Sequence, residues 1–190
     1  MSGEDLAGVL AFITAAERLK DTERSGWTSS GRRDTVAAHS WRLCLMALTF
    51  HAAFPETDLA RLLKLCILHD LGEAVHGDIP APEQLARGDK SAAERADLQQ
   101  FLAPLPAPLQ AEFLALWDEY EAAATSEARL AKALDKLETI IQHNQGANPA
   151  GFDYDFNLDY GRTYTDMHPL LAQLRAELDA TTARRARGER

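Results

Sequence analysis

Apolar residues recur at helical spacing along almost the whole chain, and no stretch sustains period-two alternation, so the pattern predicts an all-α fold. A first helix covers roughly residues 4–20, with Leu6, Val9, Leu10, Ile13 and Ala16 on one face. The stretch SGWTSSGRRD reads as a polar loop, after which Asp34 or Thr35 can cap a second helix running to about Phe54. FPETD breaks that helix, and Thr57 can cap a third that carries Leu59, Leu62, Leu63, Cys66 and Ile67 toward His69. Gly77, Pro80 and Pro82 end it, and a looser segment follows to about Gly88. Helices near 90–102 and 107–124 flank the turn APLPAP. Ser126 caps the next, in which Leu130, Leu134, Leu137 and Ile141 form a core seam. NQGANPAGFDYDFNLDYGRTY has no helical period and reads as an ordered loop held to the body by Phe152, Tyr154, Phe156 and Tyr160. A last helix starts near Pro169 and uses Leu170, Leu171, Leu174 and Leu178, leaving about 180–190 as a frayed tail.

Composition makes this one domain: 190 residues, 46 % hydrophobic and 26 % charged, are enough for a single sizeable core. The net charge of −9 repels phosphate polymers, which argues against nucleic acid as a partner and leaves room for a small phosphorylated substrate held through a metal. Cys44 and Cys66 lie inside helical patterns rather than in a C-x-x-C pair, and read as small buried hydrophobes in a reducing compartment. The N-terminus is acidic where a signal peptide is basic, and no apolar run reaches the ~18 residues of a membrane span. The expectation is a cytoplasmic protein with no membrane partner.

The chemistry starts at CILHDLGEAVHGD, where His69 and Asp70 interrupt an apolar run. A lone His-Asp pair is an ordinary helix end. Asp135, however, borders the leucine seam beside Leu134, where an ionised carboxylate is costly unless it is paired or bound to a cation. His39 lies one turn into the second helix with apolar residues close on both sides. Three helices thus each bring a ligand to the edge of the core. Two imidazoles with two carboxylates suit a divalent ion such as Mn, Co, Fe, Ni, Zn or Mg rather than a thiophilic one. Such an ion with open positions lowers the pKa of water and makes it a nucleophile near neutral pH. On a continuous helix Glu73 shares a face with His69 and Asp70, within reach of that water, and Asp78 follows the Gly77 turn.

TVAAHSW, LHDLGEAVHGD and SEARLAKALDKLE resemble, in order and spacing, the HD-domain metal-dependent phosphohydrolases, with the His…His-Asp…Asp signature at His39, His69, Asp70 and Asp135. The likeness covers roughly residues 6–145 and is greatest to the 5′-deoxynucleotidase branch. It implies a single HD-domain helical bundle, a divalent metal ion on those four ligands, and hydrolysis of deoxyribonucleoside 5′-monophosphates to deoxynucleoside and phosphate. It implies catalytic roles for Glu73 and Asp78 and a homodimer as the assembly. RSGW resembles a substrate-contacting segment, with Trp27 for a base or sugar and Arg24 for phosphate; Lys90, with Glu94, resembles a further substrate-binding pair. The alternatives are a phosphohydrolase of another nucleotide or small phosphate ester, and a non-catalytic nucleotide- or metal-binding module. A two-iron oxygenase of the same superfamily would need further ligands from His51, His76, His143 and His168; of these His76 is near enough to stand behind the motif, His51 reads as surface and His168 as a helix start.

Overall fold

Helices carry nearly all of the regular structure in the computed structural model, which describes residues 2–78 and 90–189. The chain runs α1 (Gly3–Ala15), β1 (Glu23–Trp27), β2 (Arg33–Thr35), α2 (Val36–Phe50), α3 (Leu59–Leu68), α4 (Glu73–His76), α5 (Lys90–Leu102), α6 (Ala107–Glu121), α7 (Ser126–Gln145), α8 (Phe156–Asp159), α9 (Arg162–Thr165) and α10 (Pro169–Ala186). Short 3₁₀ turns follow α1 and α2. No described helix is long and apolar enough to cross a membrane.

The leucine seam places α7 at the centre. Leu130, Leu134, Leu137 and Ile140 are buried, and α7 packs against α2, α3, α6, α9 and α10. Each buried leucine stabilises the fold by about 1.5–3 kcal/mol relative to exposure. Helix α2 presents His39, Leu43 and Met46 to this core at i, i+4 and i+7, so the histidine occupies an interior position of an apolar row.

Local chemistry sets the helix starts. Thr35 caps α2 by accepting the Ala38 amide at 3.3 Å. The caps of α3 and α7 fall one residue from the expected Thr57 and Ser126. Asp58 caps α3, because its carboxylate accepts both Ala60 N at 2.7 Å and Arg61 N at 3.2 Å, and Thr125 caps α7 by accepting Ala128 N at 3.1 Å.

Several expectations are corrected. The all-α class holds for the body, but the polar loop after α1 is a β-hairpin, with β1 antiparallel to β2 and Glu23 opposite Thr35 and Trp27 opposite Arg33. Of the row expected to face inward on the first helix, Val9 and Ala16 pack on the core together with Phe12, whereas Leu6, Leu10 and Ile13 are 60 % or more exposed. Phe12 decides this by packing on Phe101 and Phe113 at 5.3 and 6.2 Å between ring centres. The tail is helical to Ala186: Thr182 is buried and donates to Asn144 Oδ1, and Arg185 donates to Gly146 O. The aromatic segment before α10 packs on the body as expected and also forms the short helices α8 and α9.

The third helix also differs. It stops at Leu68, and residues 69–72 form a tightened turn with i→i+3 bonds, Leu71 N to Leu68 O and Glu73 N to Asp70 O, before α4 begins. Gly72 permits this turn to press on α5: a Cβ there would lie 3.1 Å from Glu94 O and 3.2 Å from Leu98 N. Gly77 then ends α4 at φ +86°. Pro80, Pro82 and the segment to Gly88 lie outside the described residues.

Candidate metal centre

Three elements meet at one point. The first turns of α2 supply His39, the turn after α3 supplies His69 and Asp70, and the middle of α7 supplies Asp135. One ligand atom from each of His39, His69 and Asp70 lies within 4.8 Å of the others. Asp135 Oδ1 stands 3.3 Å from His39 Nε2, and Asp70 Oδ2 stands 3.0 Å from His69 Nε2.

The tautomers are set from behind. His69 Nδ1 donates to Cys66 O at 2.9 Å, a carbonyl near the end of its own helix. His39 Nδ1 pairs with Glu138 Oε2. Both rings therefore present Nε2 to the cluster, and both Nε2 atoms are buried without a hydrogen-bond partner. Unpartnered buried nitrogens are costly. Two imidazole lone pairs aimed among two carboxylates make a donor set that fits a divalent cation.

The carboxylates are braced. Asp135 Oδ2 accepts from Tyr120 Oη and Lys136 Nζ, each at 2.9 Å, which leaves Oδ1 toward His39. Asp70 Oδ2 accepts from Arg24 Nη1 at 3.1 Å, and Arg24 Nη2 donates to Thr139 Oγ1 at 3.3 Å. Trp117 Nε1 donates to His69 O at 3.1 Å, and the Tyr120 ring packs on the His69 ring at 5.0 Å.

Burial raises the Asp135 carboxyl, but Lys136 and His39 outweigh it and hold the group well below the usual range. Asp70 is lowered for the same kind of reason, burial being overcome by His69, Arg24 and His39. Burial and Arg24 act to lower His39, yet the adjacent Glu138 and Asp135 raise it to about 9. Burial, then the charges of Asp70 and Asp78, push Glu73 up to about 10. Its Oε2 is buried and unpartnered.

The structure thus gathers His39, His69, Asp70 and Asp135, with Arg24 and Glu73 at the margin and Asp78 near enough for its charge to act on both. Glu73 reaches this margin from α4 across a turn, not along one continuous helix. Trp27 lies at the far end of β1, under the Arg33 guanidinium at 4.2 Å and edge-on to Phe152 at 6.1 Å. The side chain of Lys90 lies outside the described residues. The other histidines are engaged elsewhere: His51 Nε2 with Thr57 O, exposed His76 with Asp97, His143 with Asn157 and Ser25, and His168 as the cap of α10. His51 is half-buried rather than a surface residue.

Glu138, Arg42, Tyr120 and Lys136 were not singled out in the sequence. The signal for Glu138 was present: Asp135, Glu138 and Gln142 form a polar row at i, i+3 and i+7 in a helix whose leucine seam is buried.

Comparison with known proteins agrees with this geometry. A chain from Bos taurus named 5′-deoxynucleotidase HDDC2 is 31 % identical over 185 residues, covering 95 % of this chain and 88 % of its own length. The Schizosaccharomyces pombe 5′-deoxynucleotidase hdd1 is 34 % identical over 148 residues, 75 % of this chain and 74 % of its own. A crystal structure from Magnetospirillum magnetotacticum, described as a predicted metal-dependent phosphohydrolase, superposes with a TM-score of 0.76 at 29 % identity, covering 95 % of this chain and 97 % of that one. A family model for the HD domain matches residues 16–175, a span that includes His39, His69, Asp70 and Asp135. With the His…His-Asp…Asp set converging on one buried point and most of the chain inside that match, the protein belongs to the HD domain family.

Proposed function

We propose that the chain is a metal-dependent phosphomonoesterase that hydrolyses deoxyribonucleoside 5′-monophosphates to deoxynucleoside and phosphate. The observation that carries this reading is the pair of buried, unpartnered Nε2 atoms of His39 and His69 set between Asp70 and Asp135. The substrate class is supported by the relatives named 5′-deoxynucleotidases.

His39, His69, Asp70 and Asp135 would hold one divalent ion, and nitrogen and oxygen ligands accommodate Co, Mn, Mg, Fe, Ni or Zn. When bound, the ion supplies Lewis acidity, neutralising charge on phosphoryl oxygens and lowering the pKa of water. Glu73 orients or deprotonates the attacking water, or passes a proton to the leaving 5′-oxygen, from a carboxyl whose Oε2 has no other partner. Asp78 adds its charge to the same margin. Arg24 keeps N–H donors beyond those used on Asp70 and Thr139, and these bind a phosphoryl oxygen. Trp27 packs on the base or sugar, and Lys90 is a further substrate contact. In-line placement of water and ester does most of the remaining work.

The nucleotide is the only partner in this reading besides a second copy of the chain in a homodimer, in a cytoplasmic setting. The exposed rows Leu6, Leu10, Ile13 and Trp41, Leu45, Leu48 support the dimer, which light scattering would report as twice 20.9 kDa.

The test is phosphate release by purified protein from a panel of deoxy- and ribonucleoside monophosphates, triphosphates, cyclic nucleotides and simple phosphate esters with Co²⁺, Mn²⁺ or Mg²⁺. Deoxynucleoside monophosphates should lead the panel. Release from another ester alone assigns that substrate instead, and no release with any metal overturns the hydrolase reading.

A further inference from the structure

The His39 ring is bracketed by two acids from one helix. Asp135 faces its Nε2 and Glu138, three residues on, takes its Nδ1. Glu138 is 1 % exposed, and an uncompensated carboxylate at that depth is strongly unfavourable. Its compensation points away from the cluster: Oε1 accepts from Arg42 Nε at 2.6 Å, while Oε2 is engaged with His39 Nδ1. Arg42 Nη2 in turn donates to Gln142 Oε1 at 2.5 Å, and Gln142 Nε2 donates to the carbonyl of Trp27 at 2.5 Å. A continuous relay therefore runs from the metal cluster through α7 and α2 to the end of β1.

We propose that Glu138 is a positioning residue for the metal centre. It accepts the Nδ1 proton of His39 and so commits Nε2 to the ion, while Arg42, clamped between Glu138 and Gln142, holds Glu138 in place. This rests on the reading of His39 as a ligand. The chemistry is general: a ligating histidine whose other N–H is given to a carboxylate has a fixed tautomer, a fixed ring plane and a more basic donor nitrogen. The relay adds that the carboxylate is itself fixed, by an arginine fork whose geometry suits two acceptors.

The experiment is Mn²⁺ binding to metal-stripped full-length protein, measured by equilibrium dialysis for wild type, His39→Ala, Glu138→Ala, Glu138→Gln, Arg42→Met and the Glu138→Ala/Arg42→Met double variant. Far-UV circular dichroism and melting curves accompany each. Glu138→Ala should weaken binding about 10–100-fold, Arg42→Met by less, and the double variant no more than Glu138→Ala alone, because Arg42 acts through Glu138. If Glu138→Ala does not fold, the isosteric Glu138→Gln carries the test and should still lose about tenfold. A purely structural ion pair would lower the melting temperature and leave Mn²⁺ affinity unchanged; that result, in either Glu138 variant, overturns the proposal. Additive losses in the double variant overturn the relay. If folded wild type binds no Mn²⁺, the ligand reading itself fails, an outcome distinct from wild-type binding that is lost in His39→Ala yet kept in both Glu138 variants.

Discussion

Tyr120→Phe isolates one hydrogen bond at the base of the site. The hydroxyl is one of two donors on Asp135 Oδ2, the other being Lys136 Nζ, and both stand at 2.9 Å. The ring itself is 6 % exposed, packed on His69 at 5.0 Å and under Lys132 Nζ at 4.6 Å, and phenylalanine keeps those contacts. The loss is therefore a hydrogen bond to a charged group, about 1.5–3 kcal/mol. For a chain of this length each kcal/mol moves Tm by about 2–4 °C, so the metal-free variant should melt about 3–12 °C below wild type. Calorimetry in excess chelator at pH 7 reads this directly, with Tyr120→Leu as the variant that removes ring and hydroxyl together. A Tm within a degree of wild type, or a loss in Tyr120→Phe as large as in Tyr120→Leu, would refute the idea that the hydroxyl braces Asp135.

Further outcomes follow from neighbouring groups. Glu73→Gln should keep metal affinity and lose about 10²–10⁴ in kcat, measured by phosphate release at saturating substrate. His39, raised to about 9 above an ordinary value of 6.5, carries a proton that the metal must displace. Apparent Mn²⁺ affinity should then rise about tenfold per pH unit from 7 to 9. The sign for folding is the reverse: a raised folded-state pKa makes His39 stabilise the metal-free fold fully below its unfolded pKa, and this is lost as pH rises through about 9. A pH-independent Mn²⁺ isotherm would contradict both. Arg175, 1 % exposed, donates to the carbonyls of Asn157, Leu158 and Tyr160 and pairs with Asp179. Arg175→Met should cost about 3–5 kcal/mol in urea unfolding and open the segment around α8 and α9 to protease.

Much of the candidate site was legible in the sequence because its histidines and carboxylates interrupt strong patterns. His39 sits in register with Leu43 and Met46, Asp135 beside Leu134, and His69 and Asp70 at the end of an apolar run, so each stands out against a period that its neighbours define. The hairpin did not stand out, since β2 has three residues and β1 five, too few for alternation to declare itself. The inward face of α1 was read only in part, because the apolar residues Leu6, Val9, Leu10, Ile13 and Ala16 span a wide arc, and the packing of Phe12 turns the Val9 and Ala16 side of that arc inward. The break after Leu68 was hidden as well, since the turn that carries His69 and Asp70 is fixed by the close approach of Gly72 to α5, a long-range contact. Glu138 was visible as a residue but not as a partner of His39, which lies 99 positions away.

The most direct measurement is a titration of chelator-stripped protein with Mn²⁺ in which bound metal and phosphate release from a deoxynucleoside 5′-monophosphate are read on the same sample, beside Asp135→Asn. Activity should rise in proportion to bound metal, saturate at one ion per chain, and vanish with metal binding in Asp135→Asn. Phosphate release from the stripped protein, or a fully metal-loaded chain that releases none, would contradict a hydrolase built on His39, His69, Asp70 and Asp135.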